Sequence, residues 1–458
     1  MPTQIKREIG SFSRWFRVSF FILFILYFAL WLFTIYLSNS QETRNLKPIL
    51  PVMPQDSEEY ERLSESLING RGFMQYGEVE TLRTPGYPSF LALFKYTGQS
   101  YFAATLAQVI LVFFSGILIR RLGILFHSTR TGEIAAVFFL LSPSVIYLSL
   151  IILTDILFLF LLLLGFYLAV SLNQDLDKKK FILKIIFASI IFALAIYVRP
   201  MGVFALPIFA APFLAAKFSF KEKAKSIIVM ILVILAVVSP WVIRNYKLVG
   251  VADFSSFKAI NLAAYATPSF LSSENKTTPD EERANIEKST GIPQSKWRDL
   301  QYSPKVASAA EKIILERPFS YIKYHITASL PFLFSSSIQD TLTTYKSAMH
   351  IEGRLESGAI NYLIAGDWKL FLSNITKVWW KMGERIIWFL IYIIALFGFW
   401  KQRRNSLAWV FVFIPAYLML LAGPAANARY AIQGLPFILV LFSAGLMYIE
   451  NKLKSKYV

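Results

Sequence analysis

Long apolar runs alternate along this chain with short connectors rich in lysine and arginine. The runs lie near residues 16–37, 102–119, 132–149, 153–171, 182–198, 201–216, 226–243, 384–400, 407–422 and 430–449. Each approaches the roughly 20 residues that cross a bilayer as a helix. The third and fourth belong to one long stretch, divided only around Ser149 to Asp155. The pattern predicts an all-α polytopic membrane protein with about ten transmembrane helices, and at most about twelve. The first run lacks a small-residue cleavage site and reads as a retained helix.

The connectors set the expected sidedness. Lys6, Arg7, Arg14 and Arg17 precede or open the first run; Arg120, Arg121 and Arg130, Lys178 to Lys180, Lys221 to Lys225, Lys401 to Arg404 and Lys452 to Lys456 flank later ones. By the positive-inside tendency these ends are cytoplasmic, which puts both termini inside a plasma (inner) membrane. Two long segments then face outward and divide the chain. Residues 1–244 form a transmembrane module carrying the first outer loop, 38–100; residues 245–383 are an extracytoplasmic loop region; residues 384–458 hold the last helices. The apolar piece from Phe319 to Ser337 would, as a further span, reverse everything after it. An amphipathic helix on the outer surface is therefore expected there. The passage "SSENKTTPDEERANIEKSTGIPQSKWRDLQ" reads as a solvated loop with short helices.

Of the 458 residues, 55% are hydrophobic and none is cysteine, which excludes disulfides, thiolate metal sites and a cysteine nucleophile. His127, His325 and His350 lie far apart and show no metal-ligand spacing. The net charge of +18 sits mainly in the connectors, so it speaks for a lipid bilayer as partner and against nucleic acid. No internal repeat marks the paired halves of many secondary transporters.

Against this apolar background a few polar residues stand out. "DSEEY" opens a helical run in the first outer loop, with Tyr60 one turn after Asp56. Asp56 and Glu59 also fit a capping box, and the structural and chemical roles are not exclusive. In "RTPGYP", Pro85 and Pro88 are expected to stop a helix and Gly86 to turn the chain. Asp155 interrupts an apolar stretch, where a carboxylate costs about 2.5–3.5 kcal/mol at mid-helix and so normally has a partner or a cavity. With Thr154 it could equally cap a short hairpin.

Arg83, Arg199, Arg244 and Arg429 fall at or near outward span ends, where basic residues are less frequent. Singly each could snorkel to headgroups. Together, beside two acids, they suit an anion at the membrane surface, because guanidinium matches phosphate oxygens in a bidentate fork. The phosphate of a lipid carrier is the natural candidate. A sugar linked through it is already activated; cations would stabilise the departing phosphate, and a carboxylate such as Asp56 would take the proton of the incoming hydroxyl or amine.

The stretches "DSEEY", "RTPGYPSFLALF", "TDILFLFLLL", "YVRPMGVFALP", "PWVIRNYKLVG" and "ARYAIQGLPFILVL" resemble, in this order, bacterial relatives of dolichyl-phosphate-mannose protein mannosyltransferases and lipid A aminoarabinose transferases. The resemblance extends to Pro436, with little match in the long outer loop. It implies a GT-C type fold and a glycosyltransferase. It also implies catalytic roles for Asp56 and Asp155, and substrate binding by Tyr60, Arg83, Tyr87, Arg199, Arg244, Asn245, Arg429 and Tyr430. The family often has a second acid directly after the loop Asp; here it is Ser57, so a metal site of that kind is not carried over. No cofactor is assigned, although a divalent cation stays open. The expected partners are a polyprenyl-phosphate-linked sugar and an extracytoplasmic acceptor, with inverting transfer between them. The alternatives are a flippase or transporter, or a polymerase or ligase, of lipid-linked glycans.

Overall fold

The computed structural model describes residues 12–42, 56–96, 101–174, 178–216, 218–334, 379–425 and 428–455, with a few isolated positions between 338 and 372. Among these, six helices are long and apolar enough to cross a bilayer: Arg14–Ser38, Tyr101–Phe126, Lys180–Val198, Phe220–Val249, Gly383–Gln402 and Leu435–Lys454. Thr129–Leu140 and Pro143–Ser149 make a seventh if taken as one span, but they are bent by 60°. Three shorter apolar helices, Asp155–Val170, Pro200–Ala215 and Ser406–Ala422, occupy the remaining predicted runs. This is a multi-pass, all-helical membrane architecture; the only strands among the described residues are the two-residue pair Met74–Gln75 and Glu78–Val79. Among the described residues, fewer of these helices are full-length than there are apolar runs. Proline and charge cut the runs short, at Ser142-Pro143 and at Arg199-Pro200, where the residue before proline is held extended, Ser142 at φ −66°, ψ 123° and Arg199 at φ −135°, ψ 124°.

The helices are sorted by what surrounds them. Arg14–Ser38, Phe220–Val249 and Gly383–Gln402 expose large apolar side chains such as Phe21, Leu232 and Ile387, as lipid-facing helices must. The central helices bury Phe158, Phe166, Phe192 and Phe209, the last two stacked with centroids 4.3 Å apart. Two glycine crossings bring helix backbones together. A Cβ on Gly132 would overlap the Arg120 carbonyl, and one on Gly398 would overlap the Leu441 carbonyl. Gly398→Leu is therefore expected to prise the last helix from its neighbour and destabilise the fold by about 2 kcal/mol or more, read as a lowered melting temperature in detergent.

One end of the bundle ties the basic connectors together. Arg120 and Glu133 form a buried ion pair, and the Ser13 amide and hydroxyl donate to the same carboxylate at 3.0 and 2.6 Å. Arg130 pairs with Glu450, and Asn405 donates to the Phe126 carbonyl. The opposite end carries the Asp56–Ile68 and Gly86–Tyr96 helices and, above them, a small packed unit. The hydrophilic passage expected to be a solvated loop belongs to that unit: Trp297 is buried at its centre with Ile286, Val306 and Ala310. Its Pro279–Thr290 helix is capped by a reciprocal Thr278–Glu281 box and ended by Gly291 in the left-handed region. The Pro318–Ser329 helix lies against Ser406–Ala422 and is too short to cross a bilayer alone. Residues 335–337 of the predicted surface helix, and 43–55 and 97–100 of the first predicted outer loop, lie outside the described residues.

Candidate active site

The Asp56–Ile68 helix is amphipathic in an unusual sense: its inward face carries Ser57, Tyr60, Leu63 and Ser64, and also the nearly buried Glu59. Ser57 donates to the Ile152 carbonyl at 2.8 Å. This bond ties the helix to the 150–154 turn, which delivers Asp155 to the start of the Asp155–Val170 helix. The same turn is held from below by Gln108, whose amide donates to the carbonyls of Ile151 at 2.8 Å and Ser149 at 3.3 Å. Tyr87 in turn donates to Gln108 at 2.7 Å, and its ring meets that of Tyr60 edge-on. Tyr87 is fully buried and works as a strut under Asp155, while Tyr60 accepts from Arg83 at 3.1 Å.

Arg83 is presented by a tight turn. The Glu80 carboxylate accepts from the amides of Leu82 and Arg83 at 2.6 and 3.0 Å, and the chain then enters the Gly86–Tyr96 helix. Pro85 and Pro88 were expected to stop a helix; they flank the start of one, where a missing amide proton costs nothing. Gly86 does not take a left-handed turn. It is small because a Cβ there would strike the Tyr197 carbonyl of the crossing helix.

The charged side chains from these elements form a continuous alternating chain. Arg298 contacts Glu59 through two bonds of 2.8 Å, and Glu59 accepts from Arg83 Nε at 2.7 Å. Arg83 Nη2 reaches Asp56 at 2.6 Å; the second Asp56 oxygen accepts from Arg429 Nη1 at 2.9 Å. Arg429 Nε continues to Asp155 at 3.0 Å, and Asp155 closes on Arg199. The buried amide of Gln433 stands within hydrogen-bonding reach of both. Four guanidinium groups against three carboxylates leave one positive charge over.

The two acids differ in access. Asp155 is 0% exposed, whereas the Asp56 side chain is 31% exposed. Burial pushes the Asp56 carboxyl up, but Arg83 and Arg429 outweigh it and hold the group down at about 2. Burial likewise opposes ionisation of Glu59, and hydrogen bonds from Arg298 with the charges of Arg83 and Arg298 bring it below the usual range. Neither carboxylate is a helix cap: among the described residues their hydrogen bonds run to arginines.

Arg244 and Asn245 stand apart from this chain. Arg244 donates to the carbonyls of Glu80 and Phe73 at 3.1 Å each and lies over Trp241, so it braces the turn that carries Arg83. Asn245 donates to the carbonyls of Asp253 and Phe254, fixing the turn after its own helix. Tyr430 packs its ring near Arg199 and Arg429. Behind it opens a mostly apolar cavity of about 520 Å³, walled by Met201, Phe204, Tyr321, His325 and Leu420. Glu59, Arg298 and Gln433 join the site without having been singled out as site residues in the sequence. Among the described residues no group of three or more His, Asp or Glu is placed to hold a metal ion, and the oxygens of Asp56 and Asp155 already face guanidinium groups, so the donor set does not fit a cation.

A neighbouring acid makes stability depend on pH instead. Glu61 has a buried oxygen without a hydrogen-bond partner among the described residues; burial, then repulsion from Glu65, raises its carboxyl to about 7. The folded state thus keeps a proton that the unfolded chain loses above its ordinary value near 4.5. Stability is expected to fall as pH rises from about 4.5 to 7 and then level off. Glu61→Gln should remove this slope and gain about 1 kcal/mol at pH 8, the full linkage being screened by solvent, as measured by melting across pH.

Residues 83–243 match the family model described as dolichyl-phosphate-mannose-protein mannosyltransferase, a stretch holding Arg83, Tyr87, Asp155 and Arg199 but not Asp56 or Arg429. No curated protein matches the chain. Among solved structures, the oligosaccharyltransferase of Archaeoglobus fulgidus in complex with zinc and sulfate is 13% identical, with a TM-score of 0.50 over 94% of this chain and 49% of that one. The Archaeoglobus fulgidus AglB complex with an inhibitory peptide and a dolichol-phosphate is 12% identical, with a TM-score of 0.46 over 88% and 47%. ArnT from Cupriavidus metallidurans bound to undecaprenyl phosphate is 11% identical, with a TM-score of 0.41 over 93% and 77%. The chain spans about half the length of the archaeal structures it matches. In fold the chain is of the GT-C type, and over residues 83–243 it is similar to the dolichyl-phosphate-mannose-protein mannosyltransferases.

Proposed function

We propose that the protein is a glycosyltransferase that moves a sugar from a polyprenyl-phosphate donor to an acceptor on the extracytoplasmic side of the inner membrane, with inversion at the anomeric carbon. The observation that carries this reading is the arrangement of Arg83, Arg429 and Arg199 around one accessible and one buried carboxylate, beside an apolar cavity. Guanidinium groups suit the phosphate; the cavity behind Tyr430 suits the first isoprene units. The basic connectors gather at the far end of the bundle, which supports an outward-facing site.

In this mechanism the acceptor oxygen or nitrogen attacks the anomeric carbon opposite the phosphate. The bond to the phosphate oxygen breaks, its electrons leave with the lipid phosphate, and the acceptor proton passes to Asp56. Arg83 and Arg429 stabilise the charge gathering on the leaving group. Asp155, buried and doubly paired, holds Arg199 and Arg429 in place rather than meeting the acceptor. Arg244, Asn245 and Tyr87 support the turns that carry the site.

The test is transfer of labelled sugar from a panel of polyprenyl-phosphate sugars in membranes holding the wild-type protein. Transfer from one donor supports the reading and names the sugar. Movement of lipid-linked glycan across the membrane without transfer would replace it with a flippase, and transfer only from diphosphate-linked oligosaccharides with a polymerase or ligase.

A further inference from the structure

The unit above the site contributes a side chain to it, and we infer that Arg298 is a positioning residue that sets how strongly Arg83 can hold the donor phosphate. This rests on the proposed donor. The backbone around Arg298 is anchored independently of its side chain. Its carbonyl accepts from the Thr81 and Ser256 hydroxyls, Leu300 donates to Thr81 at 3.0 Å, and the neighbouring Trp297 donates to the Ile292 carbonyl at 2.9 Å. From that fixed base the guanidinium makes its two parallel 2.8 Å bonds to Glu59.

Glu59 lies between two cations, since the oxygen facing Arg298 Nη2 also accepts from Arg83 Nε. It is 8% exposed, so solvent does little to neutralise it. With Arg298 in place the carboxylate is already balanced, and Arg83 keeps its Nη groups for Asp56 and an arriving phosphate. Without Arg298 the same carboxylate would have Arg83 as its sole ion-pair partner among the described residues, and the chain from Glu59 to Arg199 would lose its surplus positive charge. The phosphate would then meet a guanidinium already committed elsewhere. The side chain of Arg298 is 38% exposed, so the effect is moderate.

The measurement is equilibrium binding of undecaprenyl phosphate, without sugar and without turnover, to the full-length protein in nanodiscs. Arg298→Gln is expected to weaken binding about fivefold with only a small drop in melting temperature, since the backbone anchors remain and Arg83 still pairs Glu59. Arg298→Lys should restore part of the loss, because an ammonium supplies the charge but not the two-bond fork. In a Glu59→Gln background, Arg298→Gln should change nothing. Equal weakening with and without Glu59, or wild-type affinity in Arg298→Gln, would overturn the inference while leaving the donor assignment intact. A wild-type protein that does not bind the lipid phosphate would remove the donor assignment and this inference together.

Discussion

Asparagine at position 56 is expected to reduce sugar transfer by about 10²–10⁴-fold while binding the lipid phosphate more tightly than the wild type. The two halves have one cause. Asp56 lies between Arg83 at 2.6 Å and Arg429 at 2.9 Å, so in the empty site the carboxylate occupies the place where a phosphate would draw on the same cations. Removing its charge frees both guanidinium groups, and about tenfold tighter binding follows. Removing its basicity leaves no acceptor for the proton. A carboxyl held at about 2 is a weak base, yet it becomes a stronger one once the phosphate takes over its arginines. In the proposed mechanism, arrival of the donor thus prepares the base. Because the depressed value keeps the group ionised, the empty site presents Asp56 as a carboxylate throughout pH 5 to 8. Titrating undecaprenyl phosphate into wild-type and Asp56→Asn protein, beside transfer assays, checks both halves. Weaker binding in the mutant would mean that Asp56 touches the donor rather than competing with it.

How much of this was legible in the sequence depends on what each residue had to signal. Apolar runs announced the helices because lipid demands them, but their length did not reveal where proline would bend or end a helix, as between Leu140 and Pro143. Asp155 was legible as a group in need of a partner because a carboxylate in an apolar stretch is costly; the structure supplies Arg199 and Arg429. Arginines at span ends were a weaker signal, since position does not say which way a guanidinium points. Arg83, Arg199 and Arg429 turn to the acids, whereas Arg244 turns to backbone carbonyls. Arg298 gave no local sign within a mixed-charge passage. The adjacent Trp297, a large aromatic in hydrophilic surroundings, was the available clue that the passage packs and has a core. Gln433, an amide inside an apolar run, was a similar clue.

Arg429 joins the open acid to the buried one, so Arg429→Gln is the substitution with the widest consequence. In the proposed mechanism it removes a contact to the phosphate, and transfer is expected to fall about 10²–10³-fold. It also leaves Asp155, at 0% exposed, with Arg199 as its remaining ion-pair partner, and should lower stability by about 2–3 kcal/mol. Arg429→Lys would separate these effects. A lysine restores the positive charge, but its single ammonium cannot reproduce Nε on Asp155 together with Nη1 on Asp56. Melting should therefore recover more than turnover does. Arg199→Lys makes the contrast, because Arg199 contacts Asp155 and no other carboxylate among the described residues. Its loss should appear in melting first and in transfer second. Should Arg199→Lys and Arg429→Lys instead lose transfer equally at matched stability, the phosphate is gripped by both arginines and lies deeper, toward Asp155, than the accessible Asp56 implies.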